Sequence, residues 1–121
     1  MRDPLDMSVV KYLTSCQWDD RPVIAGSPPD DIPDGLVTVD RTGGSRTLTG
    51  ETCLLSVWCW ASTRAKAARL ADMTARMLED MPQSVPGCAR CDVQAVARLP
   101  YPGPPWRERY TLTVQATWDA A

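Results

Sequence analysis

Histidine is absent from the 121 residues. Its absence removes imidazole as general acid or base, every Ser-His-Asp or Cys-His nucleophile, and the commonest metal ligand, which argues against a hydrolytic enzyme. Phenylalanine is absent as well, so five tryptophans and three tyrosines carry the aromatic content. No apolar run approaches the roughly 20 residues needed to cross a bilayer. Met1-Arg2-Asp3-Pro4 lacks the basic-then-apolar plan of a secretory leader, and the expectation is a chain made and kept in a cytoplasm. Charge of one sign is not in excess, since 13 Lys and Arg face 15 Asp and Glu for a net charge of -2. That balance removes the usual electrostatic reason for a small protein to coat nucleic acid or an anionic membrane.

What is present fits one folded unit over residues 1–121, because a chain this short has little apolar surface to divide between two cores. Asp3 as cap, Pro4 at the first helical position, and Leu5, Val9, Tyr12 or Leu13 and Cys16 at helical spacing predict a short helix over about 4–16. Residues 19–35 hold four prolines and five aspartates, leaving Val23-Ile24-Ala25 as a short strand. Leu36-Val37-Thr38-Val39 predicts a strand ending in a long hairpin tip at Arg41-Thr42-Gly43-Gly44-Ser45-Arg46.

The second arm, Thr52 to Trp60, is apolar on both faces. Cys53, Leu55, Val57 and Cys59 point one way and Leu54, Trp58 and Trp60 the other. Such a strand belongs in the centre of a sheet, covered by helices on one side and by another chain or layer on the other. A long helix is predicted from Ser62 or Thr63 to the break at Pro82, with Ala67, Leu70, Ala71, Thr74, Met77, Leu78 and Met81 as its apolar stripe and an Asp72–Arg76 surface ion pair. Val93 to Leu99 and Tyr110 to Trp118 alternate as strands, the second with every even position apolar. The proline-rich Pro100 to Arg107 between them is expected to protrude unpaired. The expected fold class is α+β: an antiparallel or mixed sheet of about four to five strands packed with one long and one short helix.

Three patterns bear on chemistry or contact. Cys88-Ala89-Arg90-Cys91 has the gap of a zinc knuckle or redox pair, but it stands alone. A zinc site would need Cys16, Cys53 or Cys59 to complete it, and a redox pair would precede a helix where here a strand follows, so the five cysteines read first as structural, reduced thiols. Arg41, Gly43, Gly44 and Arg46 form a tip that reads first as a solvated turn. An anion cradle and a contact to a neighbouring subunit are the other readings. Trp58, Trp60 and Trp118 read as core, whereas Trp106, beside Arg107, Glu108 and Arg109, carries residue types favoured at interface centres and reads equally as contact or as loop packing. Arg64, Lys66 and Arg69 at the start of the long helix read first as a solvated face.

In order and spacing, these features resemble the tail terminator (tail completion) proteins of long, non-contractile-tailed bacteriophages, especially those of actinobacterial phages. Leu36 to Gly44 resembles the family's first strong strand running into an Arg-Thr-Gly-Gly turn. Thr52 to Ala61 resembles the next strand, which ends in an aromatic and an alanine before a helix beginning Arg64-Ala65. Arg109 to Val114 resembles the final strand, approached through a proline-rich loop preceded by Leu99-Pro100. The similarity covers about residues 9–119, while Cys88, Cys91 and the dense Pro100 to Trp106 segment depart from the pattern.

The resemblance implies a non-enzymatic structural virion protein of the phage neck, with no cofactor, assembled in the host cytoplasm. It would form a homo-oligomeric ring, typically a hexamer, on the head-proximal end of the tail tube, end tube polymerisation and meet head-completion proteins. DNA would pass only in transit. A closing ring needs a heterologous interface. Its candidates are Arg41, Gly43, Gly44 and Arg46 at the tip, Trp106, Arg107 and Arg109 in the loop, and Arg64 and Arg69 on the helix. The rival readings are a head-completion or minor tail protein and, in another class, a cysteine-dependent zinc or redox module.

Overall fold

The computed structural model describes residues 4–119. Helix α1 (Leu5–Ser15) buries Leu5, Val9, Tyr12 and Leu13 along one side, as their spacing predicts. Pro4 occupies the position before the helix rather than its first turn, and the predicted Asp3 cap lies outside the described residues. The three-residue strand β1 (Val23–Ala25) pairs in parallel with β2 (Leu36–Arg46). Strand β3 (Gly50–Ala61), helix α2 (Arg64–Ser84), β4 (Cys88–Arg98) and β5 (Glu108–Asp119) follow. The sheet runs β1-β2-β3-β5-β4, with every pair but the first antiparallel. The fold is therefore α+β: a five-stranded mixed sheet with one helix of 21 residues and one of 11.

Both helices cover the same face of the sheet. Cys53, Leu55, Val57 and Cys59 of β3 meet Val37 and Val39 of β2 and Leu112, Val114 and Ala116 of β5, beneath Leu13 of α1 and Leu78 and Met81 of α2. Thr63 caps α2, its hydroxyl accepting the Lys66 N–H at 3.2 Å. Leu70 and Met77, predicted in the apolar stripe, are half-buried at its margins, whereas Ala67, Ala71, Thr74, Leu78 and Met81 are buried. Asp72 and Arg76 form the predicted pair at 3.0 Å.

Three further expectations are corrected. The helix does not break at Pro82 but runs through it to Ser84. A proline so near the end costs one backbone hydrogen bond, and burial of Leu78 and Met81 holds the last turn against the core. The Gly43-Gly44 segment is not a hairpin tip. It lies inside the β2–β3 ladder, Gly43 paired with Leu54 and Gly44 with Cys53 across a bulge that follows Arg41, and the chain reverses only at residues 47–49.

The proline-rich connection is not wholly unpaired. Tyr101 and Arg107 exchange backbone hydrogen bonds of 2.9 and 3.1 Å, so only residues 102–106 are free of the ladder. Of the two covers expected for the far face of β3, another chain or another layer, the second is seen at one end, where this chain's own loops pack. Ile32, Leu36 and Trp60 are buried there with Trp58 and Tyr101 packed against them, and the Trp60 and Tyr101 rings meet edge to face at 5.2 Å.

Gly44 has a φ of +145°, and a Cβ at that position would stand 2.2 Å from the Thr52 carbonyl oxygen. Gly43 has ordinary room, its nearest neighbour being Leu54 Cδ1 at 3.6 Å. We therefore expect Gly44→Ala to destabilise the fold by about 1–3 kcal/mol, with Gly43→Ala costing clearly less. Denaturant midpoints of the two variants check this, and equal costs would show that the bulge tolerates a side chain.

Candidate interaction surface

The arginines that the sequence offers for contact divide sharply once placed. Arg41 reaches Glu51 at 2.8 Å and Arg46 reaches the other carboxylate oxygen at 3.7 Å. The Glu51 side chain is 8% exposed, so its charge needs a partner at hand, and its hydrogen bond pushes the Arg41 guanidinium further toward the charged form. Both arginines are fasteners of the β2–β3 hairpin. Gly43 and Gly44 are paired with Leu54 and Cys53 in the ladder rather than presented at a free turn.

Arg107 is an anchor too. Its guanidinium donates to the carbonyls of Ile32 at 3.0 Å and Pro33 at 3.4 Å, and to that of Trp106 at 3.0 Å, tying the proline-rich loop to the segment before β2. Arg109 lies over the faces of Trp58 at 4.5 Å, Trp60 at 4.9 Å and Tyr101 at 5.5 Å while donating to the Leu99 carbonyl at 2.9 Å. Burial works against its charge and lowers its pKa, and the three ring faces supply the compensating attraction. The tryptophans of β3 form a cage, as it were, but the guest is this chain's own arginine.

Two predicted contact residues remain free. Trp106 is 54% exposed at the end of the 102–106 loop, close in sequence to exposed Leu99 and Val96 at the end of β4. Arg69 makes no ion pair or hydrogen bond among the described residues and lines a cleft of about 230 Å³ on the helix side of the molecule. Arg64 is exposed at the start of α2 and donates to the Tyr110 hydroxyl at 3.4 Å.

The cleft is a feature that the sequence reading did not anticipate. Its apolar lining comes from Trp18, Pro22, Leu70 and Met73, and its charged rim carries Asp19 and Asp20 on the α1–β1 segment and Lys66 and Arg69 on α2. The Trp18 N–H is spent on the Leu13 carbonyl at 2.9 Å, and Arg21 closes the C-terminal end of α1 by donating to the carbonyls of Thr14 and Cys16. Trp18-Asp19-Asp20 is legible as an aromatic beside acids. Its meeting with residues 66–73 is a long-range contact that no local pattern announces.

Asp34 fixes one wall of the cleft. Its carboxylate accepts from the Ser62 N–H at 2.7 Å, the Ser62 hydroxyl at 2.9 Å and Lys66 at 2.9 Å, at the N-terminal end of α2 where negative charge is favoured. Partial burial alone would raise its pKa, but these hydrogen bonds outweigh it and hold the carboxyl below its ordinary value.

The cysteine pair lies within β4 rather than ahead of a strand, and both thiols are buried. Burial pushes Cys91 up from 9.0 to about 12 and raises Cys88 as well, the opposite of the depressed pKa that thiol chemistry needs. Among the described residues, no group of three or more His, Cys, Asp and Glu side chains is placed to hold a metal ion. Among them, too, no helix is long and apolar enough to cross a membrane. No family model matches the sequence, and no curated protein is significantly similar to it.

Two measurements follow from these groups. A folded pKa below the ordinary one means that the Asp34 contribution is present at neutral pH and lost as pH falls through the depressed value. We expect Asp34→Ala to cost about 0.5–1 kcal/mol at pH 7, allowing for solvent screening, with the gap to wild type closing below about pH 4. Urea titrations from pH 7 to pH 3 read it, and a gap that is independent of pH would remove the carboxylate from the account.

For the thiols the sign is reversed, since the fold favours the neutral form of Cys91 and of Cys59, which burial also pushes up to about 12. Stability should decline as pH rises past the ordinary thiol range. At neutral pH, a thiol reagent should label half-buried Cys16 first and the other four only as the protein unfolds. Rapid native labelling of Cys88 or Cys91 would revive the redox reading.

Proposed function

We propose that this chain is a structural subunit of a phage neck. In this reading it is a tail terminator whose copies close into a ring on the head-proximal end of the tail tube, end its polymerisation and present a surface to head-completion proteins. The observation that carries the reading is Trp106. A large aromatic is held out to solvent on a loop whose other long side chains, Tyr101 and Arg107, are turned inward as anchors. Tryptophan and arginine are the residue types enriched at the centres of protein interfaces.

The charge distribution suits the same role. The arginines nearest the loop and hairpin, Arg41, Arg46, Arg107 and Arg109, are engaged with carboxylates, carbonyls or aromatic faces. Arg107 and Arg109 thus offer little grip to a phosphate backbone, which suits a collar that DNA passes without adhering to.

Negative-stain electron microscopy and sedimentation of the purified chain test the proposal. Annular particles of uniform diameter, in equilibrium with monomer, are the expected result. A monomer up to high concentration that forms no annuli would overturn the reading. Rings that cap head connectors and ignore tube ends would move the protein to head completion.

A further inference from the structure

We infer that Trp106 of one copy seats in the cleft between α2 and the α1–β1 segment of the next, so that a knob and a hole on different faces of each subunit close the ring. The inference rests on the ring reading and names the contact within it. Trp106 lies beyond Tyr101 and Arg107, which bind it to the sheet face turned away from the helices. The cleft lies on the helix side, between residues 18–22, Asp34–Gly35 and residues 66–73. Two different patches on two different faces are what a heterologous, closing interface requires, whereas a self-complementary patch would stop at a dimer.

Size and chemistry select the occupant. About 230 Å³ gives room for one large side chain. Trp18, Pro22, Leu70 and Met73 supply an apolar seat for an indole. An indole also needs one acceptor for its N–H, and Asp19 and Asp20 stand on the rim with no hydrogen bond or ion pair of their own among the described residues. Opposite them, Arg69 is likewise free, and a guanidinium beside an aromatic face is favourable.

The knob is also prepared. Pro102, Gly103, Pro104 and Pro105 bring no charge that docking would bury unpaired. Three prolines, the Tyr101–Arg107 hydrogen bonds and the Arg107 anchor hold the loop in one place, which lowers the entropy lost on docking. Trp106 itself is bracketed by prolines on one side and the anchoring arginine on the other, so its indole can turn outward without moving the loop.

The test uses two variants of the full chain. Trp106→Ala removes the knob, and Met73→Trp fills the hole from a residue outside the buried core. Each alone should lose rings by sedimentation, the first with a self-association constant weakened about 30-fold or more, as for a central tryptophan. Mixed in equal amounts, the two should give a heterodimer and no ring, since only one productive interface remains. A photo-crosslinking phenylalanine analogue at position 106 should attach to residues 18–22 or 66–73 of a neighbour. Rings that survive Trp106→Ala, or crosslinks that map elsewhere, overturn the contact while leaving the ring in place. A wild-type chain that never associates overturns both.

Discussion

Strand β3 must be dry on both sides, and the rest of the chain is arranged to meet that demand. Its inward residues, Cys53, Leu55, Val57 and Cys59, are sealed by two helices. Its outward ones alternate from half-exposed Leu54 to half-buried Trp58 and buried Trp60. Burial of a large side chain is worth roughly 1.5–3 kcal/mol, so leaving two tryptophans uncovered would forfeit a substantial part of the stability of a domain this small. The chain solves this locally. Ile32 and Leu36 from one side and Tyr101 from the other close over Trp60, and Arg109 lies across both indoles. The two proline-rich segments are therefore the second layer of the sheet's far face, and their irregular backbone is held by Arg107 reaching the carbonyls of Ile32 and Pro33.

That arrangement changes what the arginines are for. In a chain with few helix-to-helix contacts, long cationic side chains can satisfy backbone carbonyls that no strand or helix reaches. Arg21 does so at the end of α1, Arg107 at the 32–33 turn and Arg109 at Leu99. Arg41 and Arg98 meet nearly buried glutamates instead, Glu51 and Glu108. A near-neutral protein can thus use several of its arginines internally, while most of its acids and its remaining cations stay at the surface.

Periodicity made most of the architecture legible. The helix stripes, the two-faced β3 and the alternating β5 follow from side-chain spacing alone, and the composition break at residues 19–35 isolated β1. What escaped notice depended on distant partners. Gly43-Gly44 has the look of a turn, and only the cross-strand neighbours Leu54 and Cys53, set by the length of β3, show it to be a bulge. Pro82 breaks a helix in isolation but not where Met81 is fully buried. The free contact residues Trp106 and Arg69 could be named from sequence, yet so could Arg41 and Arg46, which meet Glu51 across their own hairpin, and Arg107 and Arg109, whose partners lie across the fold. Residue type identifies candidates for contact, and only tertiary placement shows which of them are already engaged.

The edges of the sheet bear on how such a subunit can associate. Strand β1 is three residues long and preceded by a proline, and β4 carries two register shifts, between Cys88 and Arg90 and between Val93 and Ala95. Short edges and bulges twist the exposed backbone out of line and discourage strand-to-strand addition of another copy. A sheet that could extend from edge to edge would grow as an open fibre as readily as it would close. In the proposed ring, contact would fall to side chains and loops at these two edges, while Val39 to Arg46 of β2 keeps an outer side that β1 does not cover. A ring of fixed size needs the angle between neighbours to be set by a rigid contact, and a proline-stiffened loop with one protruding indole meets the requirement better than a flexible hairpin tip would.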